Sequence, residues 1–150
     1  MNKLSSLSFV IPDPAKGKAR PRVTRGGLHT FTPDPGGWAA NATAMCRQAV
    51  NESDDWAITE EPITMLVHIT RRMVTQWSKK RKLAELNRPA MRTPDLVNVL
   101  ANICDACQGI AYVDDKQITH IEASHWWGLE AKTQVTLKID DPMEVSNDLS

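Results

Sequence analysis

The stretch TPDLVNVLANICDACQG, residues 93–109, restricts the fold more than any other part of the chain. Leu96, Val99, Leu100, Ile103 and Cys107 recur at helical spacing. They leave one polar stripe, Asp95, Asn98, Asn102 and Asp105, at steps of three, four and three. A helix so apolar must be covered over most of its circumference. The pattern therefore predicts a helix over 96–108 packed into a layered core and ended by Gly109 as a C-cap residue.

The layers that could cover it are legible elsewhere. Residues 4–11 read as a first strand stopped by the Pro12 to Pro14 cluster. Trp38, Ala42, Met45, Cys46 and Ala49 mark an amphipathic helix over 38–50. Ile63, Met65, Val67 and Ile69 alternate with Thr64, Leu66, His68 and Thr70, the period of a strand. Residues 71–92 form a long basic connection with a short helix opened by Ser78. Residues 116–123 and 131–139 read as two strands joined through Trp126-Trp127-Gly128. The expectation is a mixed α/β (α+β) domain, one mixed sheet of about four strands with two main helices. Residues 1–140 form the domain and 141–150 an acidic tail that frays.

The length of 150 residues suits one modest core. No apolar run approaches the roughly 18 residues of a membrane span, which predicts a cytoplasmic protein without a membrane partner. Three cysteines do not make a disulfide framework. Cys104 and Cys107 form a CxxC inside a helical pattern without a second pair, and read as small buried side chains rather than a metal or redox site.

The formal net charge is zero, but the charges are segregated. Lys16, Lys18, Arg20, Arg22 and Arg25 fall in a Gly- and Pro-punctuated loop with a hairpin tip at Arg25-Gly26-Gly27-Leu28. Arg71, Arg72, Lys79, Lys80, Arg81, Lys82, Arg88 and Arg92 form a second basic segment in which Glu85 is the only acid. Such loops suit phosphate contacts, and Trp77 beside Lys79 to Lys82 could stack on a base. Solvated loops, with Trp77 anchoring its own loop to the core, fit the same residues.

The carboxylates also admit two readings. Asp95 is placed to cap its helix, and Asp114 and Asp115 stand where a turn favours Asp. Two adjacent carboxylates at a strand start, with a third at a helix start, equally suit a hard cation such as Mg²⁺, which is held by one or two carboxylates, waters and a substrate phosphate.

The order GKARPRVTRGGLHTFTP, PDLVN, DACQGIAYVDDKQI and HWWG resembles the RusA family of Holliday junction resolvases, common in phages and prophages. The resemblance runs from about Gly17 to Gly128. It implies a homodimeric endonuclease that binds four-way DNA junctions and cuts them with Mg²⁺, or Mn²⁺ in its place. Carried over by position, it makes Asp95, Asp115 and the adjacent Asp114 the catalytic and metal-binding residues. From the two basic segments, Lys16, Lys18, Arg20, Arg22, Arg25, Lys79, Lys80, Arg81 and Lys82 are the expected DNA-binding set. Val97 stands where the family has a second Asp, and Ala101 where it has a lysine. The chain is thus expected to be a junction endonuclease or, alternatively, a degenerate relative that binds branched DNA without cutting. An oligomeric scaffold, with the Asp-bearing helix at a subunit interface, is a third reading.

Overall fold

The computed structural model describes residues 5–24, 26–27 and 29–139. Arg25, Leu28 and the acidic tail over 141–150 lie outside the described residues. The strands are β1 (Ser6–Pro12), β2 (Arg22–Val23), β3 (Thr30–Phe31), β4 (Ile63–Arg72), β5 (Ile118–Gly128) and β6 (Lys132–Ile139). The helices are α1 (Trp38–Glu52), α2 (Lys79–Glu85) and α3 (Leu96–Cys107). The main sheet is mixed, in the order β1-β6-β4-β5, and β2 pairs with β3 in a separate two-stranded hairpin. The fold is therefore the expected mixed α+β domain, and α2 is the short helix expected after Ser78.

Alternation fixes which sheet face is covered. Leu7, Phe9 and Ile11 of β1, Ile63, Met65, Val67 and Ile69 of β4, and Val135 and Leu137 of β6 are buried together with Val99, Ile103, Ala106 and Cys107 of α3. Their alternate neighbours, such as Ser6, Ser8, His68 and Gln134, are exposed. Helices α1 and α3 meet through small side chains, Ala42 and Cys46 against Ala106 and Cys107, and the Thr43 hydroxyl donates to the Ala106 carbonyl at 3.0 Å. Burial, with the nearby Asp115 and Asp105 charges, pushes the Cys104 thiol up to about 11. Cys107 is raised as well, by its hydrogen bond with Cys46 and by burial. Both therefore stay protonated near neutrality and serve as packing groups. Among the described residues no helix is long and apolar enough to cross a membrane.

Two elements differ from expectation. Trp126, Trp127 and Gly128 continue β5 instead of joining two strands, because the parallel ladder with β4 runs on to Arg72↔Gly128. The connection to β6 is residues 129–131, and β4 lies between the two strands. Asp34, not singled out by sequence, caps α1: its carboxylate accepts from the Ala39 and Ala40 amides at 2.8 and 3.0 Å.

One buried amide fixes where β5 begins. Gln117, 9% exposed, accepts through Oε1 from the Val113 and Asp114 amides at 2.9 and 2.8 Å. Its Nε2 donates to the Thr59 and Glu61 carbonyls at 2.8 and 3.0 Å. Tyr112, fully buried, donates its hydroxyl to the Cys104 carbonyl at 2.6 Å, tying this turn to the last turns of α3. Gln117→Ala is expected to cost roughly 2 to 4 kcal/mol in urea unfolding, since four backbone groups lose their partner. A loss below about 0.5 kcal/mol would show that the turn holds without it.

Candidate active site and nucleic-acid interface

The polar stripe of α3 holds a loop. The Lys18 amide donates to the Asn98 carbonyl at 3.2 Å, and Asn102 Nδ2 donates to the Lys16 carbonyl at 3.0 Å. The Lys18 ammonium pairs with Asp105 Oδ2 at 2.5 Å. Between them Gly17 crosses the helix start so closely that a Cβ would collide with the Asn98 amide nitrogen and lie 3.2 Å from Pro94 Cβ. The first basic segment is thus strapped along the stripe, and any larger residue at position 17 would have to displace the Asn98 side chain.

Carboxylates surround the same place. The hydrogen bond and charge of Asp105 hold the Lys18 ammonium above the usual lysine range, and Asp115 adds to that effect. Asp105, read from the spacing as part of the stripe, and Asp115 therefore act on one cation. An exposed pair of this kind is worth about 0 to 1 kcal/mol. Its importance is to bring a basic loop and two acids to one spot.

The motif VDDKQ separates into structural and free groups. Asp114 Oδ1 accepts from the Lys116 amide at 2.9 Å and opens the short turn Asp115–Gln117. That amide is the main reason its carboxyl lies below the ordinary carboxylate range, and a hydrogen bond with Asp115 adds to it. Asp115 is exposed, and its own amide donates to Gln108 Oε1 at 3.3 Å. Asp95 occupies the N-cap of α3 in extended conformation, yet its side chain makes no capping hydrogen bond. Helix capping therefore does not account for that exposed carboxylate.

Val97, 74% exposed, and Ala101, also exposed, precede Asp105 in steps of four along α3. Neither is needed by the core. Asp105 and Asp115 offer the exposed oxygen donors that a hard cation takes, with the Lys18 ammonium beside them, whereas Asp95 stands at the other end of α3, about 15 Å of helix rise from Asp105. The donor number is small: among the described residues no three His, Cys, Asp or Glu side chains gather as a metal-ligand set.

The second basic segment is organised separately. Ser78 Oγ accepts from the Arg81 amide at 3.1 Å and starts α2, which sets Lys79 and Lys80 in the first turn, where the helix dipole disfavours cations. The Arg81 guanidinium lies 4.1 Å from the centroid of Trp77, and Trp77 meets Trp127 edge-on at 4.9 Å. With Met73, Ala90 and Leu86 these rings form a small second core, so Trp77 anchors its loop. Of the remaining sequence-predicted cations, Lys16 and Lys82 are half-buried, and Arg20 and Arg22 are exposed. No hydrogen bond or ion pair among the described residues joins the two basic segments.

The sequence model for the family described as endodeoxyribonuclease RusA matches residues 12–138. The chain belongs to the RusA family. That family carries, in general, Holliday junction resolvase endonuclease activity. A relative from Bacillus subtilis (strain 168), described as uncharacterized protein YqaN, is 26% identical over 129 residues, covering 83% of this chain and 88% of the relative. RusA membership gives the strapped basic loop and its acids a shared context, since RusA proteins act on branched DNA.

Gly17→Ala is expected to lift the strap from α3 while leaving stability within about 1 kcal/mol. Four-way junction affinity should fall several-fold in a gel-shift titration at constant salt. Unchanged affinity would mean that the strap does not position the cations.

Proposed function

We propose that this protein is a divalent-cation-dependent endonuclease selective for branched DNA, hydrolysing phosphodiester bonds at four-way junctions in recombination and repair. The observation that carries this reading is the strapping of residues 16–18 along α3, which brings a basic loop, through the Lys18 ammonium, to Asp105 and Asp115. Lys16, Lys18, Arg20 and Arg22 would grip phosphates, with Arg25 and residues 79–82 extending the contact. Lys18 neutralises Asp105 and so reduces the repulsion that an incoming phosphate meets. Asp95 and Asp115, neither consumed by capping, would hold Mg²⁺ or Mn²⁺, and Asp114 would orient Asp115 from its place in the turn. When bound, the cation would neutralise phosphate charge and lower the pKa of a water.

The expected homodimer belongs to the same reading, supported by the sheet face opposite the helices. There Leu66 and Trp126 are only half-buried, and His68 stacks on Trp126 at 6.2 Å. Action inside a bacterial cell, from a phage or prophage gene, fits the family. A second reading, branched-DNA binding without cutting, is favoured by Val97 and Ala101 and by the small donor number.

A labelled four-way junction incubated with and without Mg²⁺ or Mn²⁺ separates these readings. Symmetric nicking that Asp115→Asn reduces by at least ~10²-fold supports the enzyme. A salt-sensitive shift without nicking leaves the binder. Because positions 97 and 101 are exposed, Val97→Asp with Ala101→Lys should fold normally and raise cutting by roughly 10² to 10³. No gain would show that those two groups do not limit the protein. Light scattering at micromolar concentration checks the dimer, and a monomeric mass rejects it.

A further inference from the structure

We propose that the carboxyl end of β4 carries a separate anion site, in which Arg71 and Arg92 hold a phosphate group. A cavity of about 450 Å³ lies there, lined by Arg71, Arg72, Arg92, Thr75, Gln76 and Trp127 among others. Its volume is in the range of small-ligand clefts, and it stands at the carboxyl ends of the parallel pair β4 and β5.

The arginines are the reason to expect an anion. Arg71 is in phase with Ile63, Met65, Val67 and Ile69, so its side chain projects to the covered side of the sheet. Its Nη1 is shut off from solvent and has no hydrogen-bond partner. Neither ion pair found among the described residues contains an arginine. Burial first, and then the charge of Arg92, weaken its hold on its proton, and no carboxylate offsets either effect. His125, in register with Ile69, also has a buried Nε2 without a partner, and burial together with Arg71 keeps its ring neutral. A half-buried guanidinium with a second one beside it and no carboxylate partner is costly unless an oxyanion offsets its charge. A phosphate supplies acceptors for several N–H groups in the bidentate geometry that arginine favours.

Placement connects this site to DNA. Arg92 precedes Asp95 by three residues, so their Cα atoms are at most ~10 Å apart. A phosphate held here would lie within a few nucleotides of the acidic surface. Only the DNA-backbone source of that phosphate rests on the proposed function. A free or terminal phosphate would satisfy the same chemistry.

The test titrates inorganic phosphate into the full chain at constant ionic strength, following the arginine side-chain Nε–Hε resonances. A saturating shift of Arg71 and Arg92 is expected, weakened at least roughly tenfold in Arg71→Gln and in Arg92→Gln. Arg92 is exposed, so its variant carries the result if Arg71→Gln misfolds. In a second arm, the salt dependence of four-way junction binding identifies the source. A slope reduced by about one in Arg92→Gln assigns the site to the DNA backbone. An unchanged slope with phosphate binding lost assigns it to a free or terminal phosphate. Absence of any saturable response in the wild type overturns the proposal. That outcome is independent of nicking, so it cannot be confused with failure of the endonuclease reading.

Discussion

The burial of α3 is the constraint on which the candidate site depends. Val99, Ile103, Ala106 and Cys107 seal one side of the helix against the sheet and α1. The opposite stripe is thereby held in one orientation. Only because the helix cannot roll do Asn98, Asn102 and Asp105 offer a fixed row on which residues 16–18 lie. The cost of displacing four buried side chains far exceeds the ~1 kcal/mol of the exposed ion pair, so packing positions the electrostatics and not the reverse.

The turn after α3 extends that rigidity to the second acidic element. Tyr112 ties the turn to the Cys104 carbonyl, and Gln117 ties it to the strand-like segment at Thr59 and Glu61. Asp114 is used as a backbone acceptor, which leaves Asp115 beside it to face outward. Adjacent identical residues therefore have different physical roles. A buried glutamine and a buried tyrosine, both uncharged, decide where the Asp115 carboxylate points.

Charge is balanced over the chain but not in space. Lys18 meets Asp105 and Asp115 at one end of α3, whereas Arg71 and Arg92 meet at the end of β4 with no acid in support. The first arrangement keeps an excess of negative charge, one ammonium against two carboxylates, and the second is an uncompensated positive cleft. In a protein of zero net charge, long-range attraction to a polyanion is weak, and only local concentrations of charge offer it a positive surface.

By itself the sequence determined the elements and the kinds of groups. Periodicity of two and of 3.6 located β1, β4, β6, α1 and α3, since burial on one face writes that period into the chain. The resemblance to the family motif drew attention to Asp95, Asp114 and Asp115 as candidates, and to Val97 and Ala101 as departures. Other features needed the tertiary structure. Trp126 to Gly128 look like a junction until the ladder with β4 pairs them, and Asp95 looks like a cap until its side chain is found unused. Asp105 looked like one more stripe residue because its partner, Lys18, is remote in sequence. Arg71 and Arg92 look like members of a charge run, because only folding brings them to one cleft and withdraws part of the water from Arg71. Local spacing records what a residue does for its own helix or strand. Pairing between remote groups, and the desolvation that makes such pairing matter, exist only once the chain is packed.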